Sequence, residues 1–133
     1  MDATELIVDL LGRGHAVQFQ VHGDSMYPVI RENDTLHVEP VRDFARGDVV
    51  LVLAERGLTA HRVVSRRGTT LILRGDNAPA PDDPVEESQV LGKVTYALRD
   101  GKRVNVWSAA ARAAAFLRRR LVPSPRRTGR GSG

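Results

Sequence analysis

A serine becomes a useful nucleophile only when a neighbouring base takes its proton. The segment Gly23-Asp24-Ser25-Met26-Tyr27-Pro28 could present such a serine. Gly23, two residues before Ser25, lets the backbone turn sharply and come close to a substrate. Met26 can pack inward and anchor the turn. On local chemistry alone the segment also reads as an ordinary turn. The base would come from His15, His22, His37 or His61. His61 stands out because it lies inside an apolar run, Leu58-Thr-Ala-His-Arg-Val-Val, where partial desolvation favours a neutral, proton-accepting ring. In the bland reading it is a strand histidine satisfied by a backbone carbonyl. His22 is too close in sequence to swing onto Ser25 from an extended strand. A third group must hold the imidazole tautomer. Asp76, Asp82 and Asp83 are the candidates, all in the loop 76–84, and all three could equally be turn or solvent residues.

The elements that would position these groups are mostly strands. Val17, Phe19 and Val21 alternate with polar residues at period two, as do Leu36 and Val38. Asp48-Val-Val-Leu-Val-Leu is a continuous apolar run, expected of a buried strand. Leu58–Val64 and Thr69–Leu73 flank a predicted turn at Arg66-Arg67-Gly68. Val90–Leu98 and Val104–Trp107 flank Arg99-Asp100-Gly101-Lys102, whose Asp-Gly step is a strong hairpin signal. Many short strands at close intervals predict a mainly β body with coiled, barrel-like sheets. The loop Asp76–Pro84 carries three prolines and should lie on the surface. Before the strands, Asp2 and Glu5 mark a helix start, and Leu6, Ile7, Leu10 and Leu11 share one helical face. After them, Ser108 opens an alanine-rich predicted helix stopped by Pro123 and Pro125. The predicted organisation is therefore an N-terminal amphipathic helix over 1–14, a body over 15–107, a helix over 108–122 and a disordered basic tail over 123–133.

A chain of 133 residues fits one domain with a modest core. It has no cysteine, which excludes disulfides, a thiolate nucleophile and Cys-based zinc sites. Although Asp24, Asp34, Asp48, Asp76, Asp82 and Asp83 could gather round a cation, no EF-hand spacing, His-rich motif or Gly-rich phosphate loop appears. No metal or cofactor is expected. Aromatic residues make up only 5%, too few for a platform that stacks single-stranded nucleic acid. The net charge of +4 divides unevenly: residues 1–100 carry −5 and residues 101–133 carry +9. The basic C-terminus suits peripheral contact with an anionic membrane, with Trp107, Phe116, Leu117 and Leu121 as apolar contacts; the alternative is that those four residues pack on the β body. The acidic body disfavours nucleic acid. No apolar run is long enough to span a bilayer, and the N-terminus lacks a basic n-region and a long h-region, so a cytoplasmic location is expected.

The motifs together resemble the signal-peptidase and LexA-like serine peptidases. The resemblance rests on Val21-His-Gly-Asp-Ser-Met-Tyr-Pro, Asn33-Asp34 with Leu36 and Val38, and Arg46-Gly-Asp-Val-Val. It continues through Ala60-His-Arg-Val-Val, Arg74-Gly-Asp-Asn and Gly92-Lys-Val, in the family's order from residue 21 to residue 94. Bacterial leader peptidases and LexA-like proteins use a lysine base; His61 at the matching position is similar to the endoplasmic-reticulum and archaeal type. The resemblance implies a catalytic set of Ser25, His61 and Asp82 with Asp76 in support. It also implies substrate contacts at Gly23, Asp24 and Met26, and cleavage of a leader or precursor peptide after small residues. A non-catalytic peptide-binding module on the same fold, or a LexA-like self-cleaving regulator, is the alternative. The Gly-Asp-Ser-Met spelling is closer to the self-cleaving relatives, yet only 24 residues precede Ser25, and no membrane anchor is evident.

Overall fold

The computed structural model describes residues 1–41 and 43–107. The predicted helix over 108–122 and the predicted basic tail lie outside the described residues. Helix α1 (Ala3–Gly12) begins at Asp2, as its sequence requires. Asp2 Oδ1 accepts the Glu5 N–H at 2.8 Å and Glu5 Oε1 accepts the Asp2 N–H at 2.9 Å. Two N-terminal donors that have no partner within the helix are thereby satisfied. Ile7, Leu10 and Leu11 pack on the core, but Leu6 is exposed. At about 100° per residue, Leu6 stands roughly 90° from the centre of that apolar stripe.

Eight strands follow: β1 (Val17–Gln20), β2 (Thr35–Glu39), β3 (Val49–Ala54), β4 (Gly57–Arg67), β5 (Thr70–Arg74), β6 (Val85–Glu86), β7 (Val90–Arg99) and β8 (Lys102–Val104). They form one antiparallel sheet in the order β1-β2-β7-β3-β4-β5-β6, with β8 also paired to β7. The fold is thus mainly β, as the alternating patterns predict. Strand β3 explains the continuous apolar run. Val49 and Leu51 belong to one core cluster, with Leu36, Val38, Val94 and Met26. Val50 and Val52 belong to a second, with Val63, Leu71, Leu73 and Phe44. Register shifts at His37/Val38, Leu51/Val52 and Val63/Ser65 break the ladders, and such bulges add local twist and bend.

The Asp100-Gly101 step turns β7 into β8, with φ of 54° and 77° at the two residues. Both values are positive, as a type I′ hairpin requires. Several boundaries differ from the sequence reading by a residue or so, and two differ for a visible reason. Strand β4 continues through Arg67, so the turn falls at Gly68-Thr69 rather than at Arg66-Arg67-Gly68. Arg66 stays in the ladder while its guanidinium reaches Phe44 O at 3.1 Å and Glu87 Oε2 at 2.9 Å. The expected strand Val104–Trp107 is instead β8, ending at Val104, because Val106 and Trp107 leave the sheet for other partners described below.

One ion pair ties the end of β7 to the turn before β2. Asp34, only 2% exposed, accepts two hydrogen bonds from Arg99, at 3.0 and 2.8 Å, and one from the Arg31 N–H at 2.8 Å. Burial alone would raise the Asp34 pKa. The hydrogen bonds from Arg99 and Arg31, with their charges, outweigh it and hold the carboxyl below its ordinary value. A depressed folded pKa contributes stability that is present above the unfolded value of about 3.9 and is lost as pH falls through the folded value. Asp34→Asn should therefore cost about 3 kcal/mol at pH 7. The gap to wild type should narrow below about pH 4, which urea midpoints at pH 7 and pH 3 would test. An equal gap at both pH values would contradict the ionised pair.

Candidate active site

The turn carrying Ser25 is built from both ends. At its start, Gly23 has φ of +93° and donates its N–H to Glu32 Oε1 at 2.5 Å. A side chain there would be strained. Just after the serine, Met26 is buried in the core with Val29 and Ile30. Tyr27 N–H closes the turn on Asp24 O at 3.0 Å. Between these anchors Ser25 is exposed.

The second support is the segment after β5. Asn77 donates its backbone N–H to Ser25 O at 2.9 Å and its side-chain amide to Asp24 O at 3.2 Å. The Asp76 N–H lies 3.3 Å from Met26 Sδ. Gly75 makes the close approach possible. A Cβ there would stand 2.6 Å from Ser25 O and 3.1 Å from His61 Nε2.

His61 projects from β4, where it pairs with Val50 of β3. Its side chain is 12% exposed. Nε2 is 3.2 Å from Ser25 Oγ, and Nδ1 is 2.5 Å from Asp82 Oδ2. An ionised carboxylate only accepts, so Nδ1 carries the proton and Nε2 presents its lone pair to the serine hydroxyl. Asp82 is held by its own backbone N–H, which donates to Leu73 O at 2.8 Å. The loop between is closed by Ala78 N–H on Gly75 O and by Arg74 Nε on Ala78 O, both at 2.9 Å. Pro79, Pro81 and Pro84 stiffen it further by fixing φ.

The other sequence candidates are placed elsewhere. Asp76 turns its carboxylate to Arg62, with Oδ1 accepting from Nε at 2.8 Å and Oδ2 from Nη2 at 2.7 Å. Its support for the site is thus indirect, and it makes no contact with the imidazole. Asp83 is exposed. Of the expected substrate contacts, Gly23 and Asp24 are exposed, whereas the Met26 side chain is 3% exposed and faces the core. The expected substrate contact at Met26 is thus not found: the residue as a whole is withdrawn into the core, where its apolar side chain packs. His37 stacks on Tyr96 and approaches Glu39, while His15 and His22 are exposed. Lys93, beside Val50 in the sheet, is paired with Asp48 at 3.3 Å.

Two participants were not singled out from sequence. Arg62 carried a usable signal: an arginine inside an apolar strand must find buried acceptors, and an aspartate follows 14 residues later. Glu32 carried none, since a surface glutamate in a turn is ordinary.

A mainly antiparallel β fold that aligns a serine hydroxyl, an imidazole and a carboxylate defines a class of protein with the parts for acyl-transfer chemistry. The chain belongs to the peptidase S24-like family, whose model matches residues 2–95. No curated protein matches the chain significantly. Among the described residues, no helix is long and apolar enough to cross a membrane.

Proposed function

We propose that the protein is a serine endopeptidase that cleaves a leader or precursor peptide after small residues. The observation that carries this reading is the continuous line Ser25 Oγ–His61 Nε2 at 3.2 Å and His61 Nδ1–Asp82 Oδ2 at 2.5 Å. In it, Ser25 attacks the peptide carbonyl as His61 Nε2 removes its proton. Asp82 orients the ring and stabilises the imidazolium. The Ser25 backbone N–H donates to the oxygen that gains charge in the tetrahedral intermediate. His61 then returns the proton to the leaving amine, and water repeats the sequence on the acyl-enzyme. The histidine base supports a reading nearer the endoplasmic-reticulum and archaeal type of signal peptidase than the lysine-based enzymes. The basic residues beyond position 101 would hold the enzyme on an anionic surface.

A non-catalytic peptide-binding module required that His61 fall short of Ser25; a separation of 3.2 Å is within hydrogen-bond reach and favours catalysis. The test is a mixed peptide library incubated with wild type and with Ser25→Ala, read by mass spectrometry. Cuts after alanine or glycine in the wild type alone are the expected result. A folded wild type that leaves the library intact, with lipid present, would shift the reading to a binding module.

A further inference from the structure

Arg62 follows His61 in β4, so its side chain leaves the opposite face of the strand. There it is a junction of three chain segments. Besides its two bonds to Asp76, Nη1 donates to Gly47 O at 2.8 Å and to Val106 O at 3.0 Å. The guanidinium is only 10% exposed, so each acceptor must be supplied by the protein. Gly47 is held before β3 by its own N–H on Val63 O at 2.8 Å. Val106, by contrast, follows β8 and has left the sheet. Its own side chain is buried in the core, and the next residue covers the junction from the other side. The Trp107 indole lies directly on Gly47, where a Cβ would stand 2.5 Å from its Cζ2, and Gly47 has φ of +100°. Only glycine leaves that seat open. The indole is nevertheless 42% exposed, so it is poorly placed to act as core filling.

We propose that Trp107 is a positioning residue of the Ser25 site, acting through Gly47, Val106 and Arg62 on Asp76 and the loop that grips the serine turn. The proposal rests on the hydrolytic reading of that site. Without the indole, Val106 O is held beside Arg62 only by the burial of its own side chain, and the junction loosens. The guanidinium then re-aims toward its remaining acceptors and carries Asp76 with it. Asp76 lies between Gly75, where any Cβ would crowd Ser25 O and His61, and Asn77, bonded to Ser25 O. A shift there moves the nucleophile relative to its base without touching either group.

The experiment compares full-length wild type, Trp107→Ala and Trp107→Phe, each checked by urea unfolding so that rates are expressed per folded molecule. Trp107→Ala should lower kcat about tenfold, with KM within about twofold, because the geometry of the reacting groups changes while the substrate cleft does not. Trp107→Phe, which keeps a ring on Gly47, should recover most of that loss. A second arm does not depend on turnover: in amide NMR spectra, Trp107→Ala should move the Ser25, Gly75 and Asn77 signals. If the wild type cleaves no peptide, the hydrolytic reading fails and the amide signals alone decide the coupling. Wild-type kcat per folded molecule together with unmoved Ser25 and Asn77 signals would overturn the proposal. So would a kcat loss that Phe does not rescue while those signals stay in place.

Discussion

Replacing His61 by alanine should lower kcat for the best library peptide by on the order of a million-fold, and Ser25→Ala should do the same. The two losses should not add. Once either member is gone the other has nothing to act on, so Ser25→Ala/His61→Ala should be no slower than the singles. Asp82→Asn should cost about ten-thousand-fold, because an amide no longer enforces the Nδ1–H tautomer that leaves Nε2 free for the serine. The three aspartates of the loop should rank accordingly. Asp82 faces the imidazole, Asp76 faces Arg62, and Asp83 is exposed. Steady-state kinetics on Asp76→Asn, Asp82→Asn and Asp83→Ala would check that order. A His61→Ala enzyme that retains wild-type turnover, or an Asp83 variant that is the slowest of the three, would dismantle the assignment.

Gly75→Ala should be nearly as informative, for a steric reason. The added methyl would stand 2.6 Å from Ser25 O, which is backbone and cannot rotate away, and 3.1 Å from His61 Nε2. Either the serine turn or the 75–77 segment must retreat. The Asn77 N–H bond to Ser25 O, at 2.9 Å, is lost or lengthened in the process. A displacement near 1 Å between nucleophile and base is enough to reduce kcat about a hundredfold. The overpacking should cost about 1–3 kcal/mol of stability. Gly12→Ala is the control: nothing lies within 4 Å of a Cβ there, at the last turn of α1. It should preserve both activity and fold. Kinetics and urea unfolding on the two variants would separate the effects. A Gly75→Ala protein with unchanged kcat would show that the approach of this segment to the serine is not required.

Much of this molecule was legible from local patterns. Period-two alternation marked β1 and β2, the uninterrupted apolar run marked β3 as a buried strand, and Asp100-Gly101 marked the last hairpin. These signals are readable because each reports a constraint within a few residues: the pleat, the chirality of a turn, the donors at a helix end. Boundaries were less legible where a distant group decided them. Arg66 stays in β4 because Phe44 O and Glu87 receive its guanidinium, and Val106 leaves the sheet for Arg62.

The same division runs through the site. Residue types and order marked Ser25, His61 and a loop aspartate as candidates, which the family resemblance joined into one set. They also determined that the only lysines, Lys93 and Lys102, fell outside the box that holds His61. Residue chemistry alone could not choose among Asp76, Asp82 and Asp83, since all three sit in one proline-rich loop and have the same carboxylate chemistry; only the family resemblance pointed to Asp82. The choice is made by the register of β4 against β5 and by the Asp82 N–H on Leu73 O, which together bring Asp82 to the imidazole across 21 residues of chain. Only the tertiary structure turned Asp76 toward Arg62 and buried the Met26 side chain. Hydrogen-bond partners for a buried guanidinium and space for a thioether are properties of several segments packed together, and no single stretch of sequence contains them.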